Sequence, residues 1–284
     1  MSIQNFTSKY KLSYLLSIFL SYLSLTTCSY AFQLSPAVAA LDATGIKSEQ
    51  IYLLTNSSPK PAAIQFSVTT RQQNTDGSEQ RNPAANSFSV HPSQVVIPGG
   101  GTQKVKVKWV GGSVNREQAY RFIAKQLPIQ LEQKGDISLN IVMTMEGALY
   151  VKPANAANAL TTTGARPADY TPSTAELAAV EQAANQTTTR PEALVVKQVQ
   201  VVNTAQGKRL SVTVHNPAHE HIILNQLSLQ LSNPAGQSFK LSGQQLGNLL
   251  QQNLLGGATR HFILPIPSGF DASNTWQGRL SSQP

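Results

Sequence analysis

Residues 137–145 constrain the fold more than any other stretch. Ile137, Leu139, Ile141, Met143 and Met145 are large and apolar at every second position. Successive side chains of a strand point to opposite faces, so this spacing puts all five on one face of a β-strand and excludes an amphipathic helix. Such a row needs an apolar surface to cover it. Either it is the core face of the chain's own sheet, or it is a face lent to another protein, and the spacing fits both.

The chain has 284 residues, which suits two domains with hydrophobic cores of their own. It is 40% hydrophobic and only 13% charged, with 18 Gly and 16 Pro, a balance that favours strands and turns over helices. The net charge of +8 favours acidic partners or anionic surfaces without naming one. The basic residues are scattered, and the alternating Lys104, Lys106 and Lys108 fit the solvated face of a strand, so no nucleic-acid groove is expected.

Lys9 and Lys11 precede an apolar run over residues 12–25, which has the length of a signal-peptide core and is short for a membrane span. Ser29-Tyr30-Ala31 places small residues where a signal peptidase reads, so cleavage is expected after Ala31 and residues 1–31 are read as a signal peptide. Cys28 lies before that cut. A lipoprotein site there would need a smaller residue than Thr27. The exported chain then has no cysteine, which excludes a disulfide scaffold and thiol catalysis. No later stretch is long and apolar enough to span a bilayer as a helix, so the chain is expected not to span a membrane after cleavage.

Residues 32–153 read as one domain. An edge strand broken by Pro36 opens it, and further strands are expected over 50–55, 62–71, 88–91, 95–97, 104–110 and 119–129, ahead of the row at 137–145. Asn56–Pro61 and the Pro98-Gly-Gly-Gly run are turns by composition, and the polar residues 72–86 are a loop or hairpin end. Closely spaced strands with turn signals between them predict an immunoglobulin-like sandwich.

Residues 154–190 are mostly Ala, Thr, Asn, Pro and Gln and read as a linker or exposed excursion. A short helix is expected inside it, because Ser173 and Glu176 make a capping-box pattern and Leu177, Val180 and Ala184 follow at helical spacing. Strand patterns resume over 194–203, 209–215, 221–230 and 260–265, so residues 191–284 form a second sandwich. The fold class is all-β: two immunoglobulin-like β-sandwich domains joined by a long Ala/Thr-rich linker.

Local chemistry is sparse. His215, His219, Glu220 and His221 crowd one stretch and hold zinc-ligand types, but Asn216-Pro217 makes it a turn whose side chains splay, so a solvated hairpin end is expected and no metal. No nucleophile elbow, His-Glu-x-x-His or dinucleotide glycine motif occurs, and the acidic residues are dispersed. No cofactor and no enzymatic activity are expected.

Five segments of the first domain carry a resemblance in their order and spacing: Phe88-Ser-Val-His-Pro92, Ile97-Pro-Gly99, the basic strand ending at Trp109, Glu117-Gln-Ala-Tyr-Arg-Phe-Ile-Ala-Lys-Gln-Leu-Pro128, and Leu149-Tyr-Val-Lys-Pro153. Together with Val214-His-Asn-Pro217 and the run from Leu255 to Pro265, they resemble the PapD-like periplasmic pilus and fimbrial assembly chaperones, in the branch with a short loop before the donor strand. The resemblance implies a periplasmic chaperone that caps pilin or fimbrial subunits by donor-strand complementation and delivers them to an outer-membrane assembly pore, the usher. It makes Ile137, Leu139, Ile141, Met143 and Met145 the subunit-binding donor strand. Burying five such side chains is worth roughly 7–15 kcal/mol gross, against association costs of about 4–15 kcal/mol. The family holds the subunit's terminal carboxylate with an Arg and a Lys, and the matching positions here are Val38 and Ala148. Lys152, Arg121 and Lys125 are the substitute candidates. The alternative to the chaperone is an exported structural or adhesive surface subunit with the row satisfied inside its own sheet.

Overall fold

The computed structural model describes residues 32–128, 142–154, 169–186 and 190–282. The expected leader, with Cys28 and the expected cut after Ala31, lies outside the described residues. The first sandwich contains β1 (Phe32–Ser35), β2 (Val38–Asp42), β3 (Glu49–Asn56), β4 (Ala62–Thr70), β5 (Gln72–Gln73), β6 (Glu79–Gln80), β7 (Phe88–His91), β8 (Gln94–Ile97), β9 (Thr102–Trp109), β10 (Gln118–Gln126) and β11 (Thr144–Lys152). Its sheets run β1-β3-β9-β7 and β2-β11-β10-β4-β8, with β5 and β6 as a separate hairpin.

The expected single edge strand is two strands in two sheets. Pro36 has no N–H to give a ladder, and the chain crosses there: β1 stays beside β3, while β2 moves over to pair in parallel with β11. A second crossing occurs at Pro92, where β7 pairs with β9 and β8 with β4. Alternate residues of the strands fill the space between the sheets, among them Tyr52, Ile64, Phe66, Val107, Phe122, Leu149 and Val151. Phe122 stacks on Tyr52 with ring centroids 4.3 Å apart.

The second sandwich contains β12 (Val195–Thr204), β13 (Gly207–His215), β14 (Ile222–Ile223), β15 (Leu227–Ser232), β16 (Ser238–Ser242), β17 (Asn253–Leu254), β18 (Thr259–Leu264) and β19 (Gln277–Ser282). Its sheets are β12-β13-β18, β16-β15-β19 and the pair β14-β17. The strand expected over 221–230 breaks between β14 and β15, where Gln226 takes a left-handed φ of 46° that no ladder accommodates. The molecule is thus a two-domain all-β fold.

Both sandwiches close one corner in the same way. Asn56 ends β3, is fully buried, and donates through Nδ2 to the carbonyls of Lys60, Ile97 and Pro98 at 2.8–3.2 Å. Asn216 follows β13, is equally buried, and donates to Glu220 O and Leu254 O at 2.8 and 3.2 Å. Each also exchanges backbone hydrogen bonds with a glycine turn, Asn56 with Gly100 and Gly101, and Asn216 with Gly257 and Ala258.

Between the domains lies α1 (Thr174–Asn185), with the expected capping box of Ser173 and Glu176. This segment buries more than its composition suggests: Leu177 and Ala184 are 4% and 0% exposed, and Val180 packs against the first core. Helix α1 lies along β2.

Candidate functional site

Strand β11 is where the expected donor row meets the fold. Its odd-numbered residues face inward: Leu149 and Val151 are fully buried in the first core, and Met145 packs against it. Met143 has the same parity and is half-buried, while Val142 beside it is exposed. Ile137, Leu139 and Ile141 lie outside the described residues. Met143 and Met145 are therefore, by period, a continuation of the row that fills this sandwich.

The two edges of β11 are paired unequally. On one side β10 accompanies it only to Gln126, whose N–H donates to Met143 O at 2.9 Å, and the next residue turns away, Leu127 N–H bonding to Ala63 O at 2.8 Å. On the other side β2 pairs from Ala148 to Lys152 only. At the boundary, Gly147 faces the β1–β2 crossing so closely that a Cβ there would stand 3.2 Å from Ala37 O. Among the described residues, no strand is paired with the β2-side edge of β11 before Ala148.

On the opposite face, Ala148 and Tyr150 meet the second sandwich. Val38 is in register with Ala148, and both pack with Ala40, Ala119, Tyr150, Leu255 and Ala258 into a small apolar cluster between the domains. The positions that would carry an Arg and a Lys are thus lined by small apolar groups. Arg121 stands opposite Ala148 in register, with its guanidinium already on Glu79, Nη2 to Oε1 at 2.6 Å and Nε to Oε2 at 3.1 Å. Lys152 lies 3.8 Å from Glu117 and donates to Gln186 O at 3.4 Å. Lys125 is exposed at the end of β10, opposite Thr144.

Glu79 gathers three arginines. Arg71 Nε and Arg81 Nη2 each lie 2.6 Å from it, beside Arg121, and Arg81 also reaches Glu146 of β11 at 2.7 Å. Burial pushes the Glu79 carboxyl up, but the Arg121 hydrogen bond, the Arg71 charge and the Arg81 hydrogen bond outweigh it and bring it from 4.5 to about 2. Arg71 Nη1 also donates to the Tyr150 hydroxyl at 3.2 Å, which accepts a second bond from Asn253 Nδ2 at 2.6 Å. No local motif announces this cluster, because its members come from four separate segments.

The domains are joined at three further points. Glu117 Oε1 accepts from His221 twice, from the backbone N–H at 2.9 Å and from Nδ1–H at 2.8 Å. Gln73 of the β5–β6 hairpin bonds to Asn253 O and Leu255 N–H, and Thr75 O accepts from His261 N–H at 2.7 Å. Arg116 Nη2 donates to Gly256 O at 3.4 Å across a cleft of about 480 Å³. The reading of residues 215–221 as a solvated turn is therefore corrected for His221, which is fully buried. Its acceptor is 104 residues away in sequence, beyond the reach of any local pattern. His215 lies instead beside Ala258 O and Thr259 Oγ1, at 3.1 and 3.0 Å.

Comparison with known proteins gives no match among curated proteins. Solved structures similar to this chain include the CsuC–CsuE chaperone–tip adhesion subunit pre-assembly complex of Acinetobacter baumannii, at 14% identity over 82% of this chain and 89% of that one, TM-score 0.42. The Salmonella enterica SafA pilin–SafB chaperone complex aligns at 16% identity over 84% and 86%, TM-score 0.45. The E. coli chaperone DraB aligns at 15% identity over 84% and 88%, TM-score 0.45. Residues 34–157, the greater part of the first sandwich and the start of the segment after it, match the family described as pili and flagellar-assembly chaperone, PapD N-terminal domain.

Proposed function

We propose that this protein is a periplasmic chaperone that binds pilus or fimbrial subunits by lending them residues 137–145 as a missing strand, then delivers them to an outer-membrane assembly pore. The observation that carries the reading is the edge of β11 ahead of Ala148, where β2 is not yet paired with it, while Met143 and Met145 keep the parity of the core-filling Leu149 and Val151. A strand in that position has main-chain groups to offer on its edge and apolar side chains at alternate positions to offer with them. Ile137, Leu139, Ile141, Met143 and Met145 fill the subunit's open core, and the two methionines adapt to subunits of different shape. The subunit's terminal carboxylate is held by a cation outside the Val38–Ala148 pair. Of the three candidates, Lys125 is the one whose side chain makes no ion pair or hydrogen bond among the described residues, whereas Arg121 and Lys152 are already engaged. In this reading the chain is exported by its leader and cut after Ala31.

The test is Ile141→Asp, co-expressed with candidate pilin-like subunits. A carboxylate pushed into an apolar groove is neither hydrated nor paired there, and burying it costs several kcal/mol. Loss of the complex with a near-normal melting temperature is expected. A collapsed fold would assign the row to this chain's own sheet, as in a structural or adhesive subunit.

A further inference from the structure

Strand β2 is an outer strand of its sheet and is built unlike the other three. Strands β1, β7 and β8 have four residues each and end against a proline, Pro36, Pro92 and Pro98 respectively. Short length and proline are the ordinary defences of a sheet edge. β2 is Val38-Ala39-Ala40-Leu41-Asp42, with no proline or Lys and with its one charge at the end. Its far side is covered instead, by α1.

Several contacts hold the cover in place. Leu177 and Ala184 are buried, Val180 reaches the first core, and the Glu181 carboxylate accepts the backbone N–H of Ala37, just ahead of β2. Lys152 donates to Gln186 O at the end of the helix, and Lys104 donates to Asp169 O at 3.0 Å before its start. The segment is thus tied to β9, to β11 and to the start of β2, while its helix runs along that strand. Without it, β2 would show a row of unpaired main-chain groups flanked by small apolar side chains. Two copies paired antiparallel about Ala40 would set Asp42 against Val38 and Leu41 against Ala39, with no like charges opposed.

We propose that residues 169–186 are an edge guard, and that α1 keeps β2 from adding the same strand of a second copy of this chain. The guard leaves β11 ahead of Ala148 as the open edge. This inference does not depend on what, if anything, that open edge binds.

The test uses the full exported chain carrying Leu177→Asp, which puts a charge into the helix seat. Circular dichroism and a thermal melt establish that the variant is folded, and light scattering after size exclusion is run from dilute to concentrated protein beside the wild type. The expected result is a dimer fraction several-fold above wild type at the highest concentration. Hydrogen exchange at Val38–Asp42 should be faster than wild type when dilute and slow again as the dimer forms. Equal masses at all concentrations overturn the proposal, as does extra protection at any strand other than β2. Should Leu177→Asp not fold, Leu177→Ser combined with Glu181→Ala is measured in the same way, and the same outcomes support or overturn the proposal.

Discussion

The ring of His221 lies flat on the ring of Tyr150, with centroids 4.0 Å apart and planes 4° from parallel. One residue belongs to each domain, and both rings are fully buried. Glu117 holds the histidine from the other direction, so its truncation to Ala leaves two donors of His221 without an acceptor. That should cost about 2–4 kcal/mol, seen as a lower urea midpoint. Glu117→Gln keeps one acceptor and should lose less. An unchanged midpoint in both would mean that the joint contributes nothing to stability.

The Glu79 cluster predicts an acid-sensitive step. A carboxyl whose folded value is depressed from 4.5 to about 2 contributes stability that is complete above 4.5 and disappears as the pH falls towards 2. The shift corresponds to a contribution on the order of 3 kcal/mol. Glu79→Gln should lower stability at neutral pH, where it leaves three guanidiniums facing a neutral amide, and should flatten the dependence between those two pH values. Urea denaturation at a series of pH values gives both slopes.

Within one row of β11, position should separate folding from capture. Leu149 is fully buried, so Leu149→Ala should cost about 2–5 kcal/mol. Met143→Ala should cost less than about 1 kcal/mol, because the side chain is only half-buried in its own domain. Under the proposed function the second variant should nevertheless lose more subunit per folded molecule. Complex yield and denaturation measured on the same preparations compare the two.

Asn56→Ala and Asn216→Ala should each destabilise by about 1–3 kcal/mol, since each strands one buried carbonyl and at least one half-buried one. Asn→Asp should not rescue either, because a carboxylate cannot donate to those carbonyls. Thermal melts of the four variants are sufficient.

The strands were legible where one face is wet and the other dry. Val105, Val107 and Trp109 are buried between exposed or half-exposed lysines, and the period of two declares the strand. At Leu149-Tyr150-Val151 the alternation disappears because the second domain covers the outer face too, leaving a continuous apolar run. The crossing of β1–β2 between sheets was visible only as a proline, since which neighbour β2 joins depends on β11, more than a hundred residues later. The capping box and the spacing of Leu177, Val180 and Ala184 made α1 readable, but not its seat, which is supplied by another part of the chain. His221 read as part of a solvated hairpin end for the same reason. A buried hydrogen-bonded pair has no local signature when its halves lie on different domains.

The parity of β11 makes chain length there a stricter property than residue identity. From Met143 to Val151 each inward residue could be exchanged for another apolar one, and the strand would still present the same face. Deleting or inserting one residue between Glu146 and Ala148 would do what no single exchange does. With Leu149 and Val151 held in the core, everything ahead of the change would rotate by half a turn, and Met143 and Met145 would point to the outer face while Val142 and Thr144 pointed in. Relatives of this chain can therefore drift in composition along this strand, but they should differ in its length only by even numbers of residues.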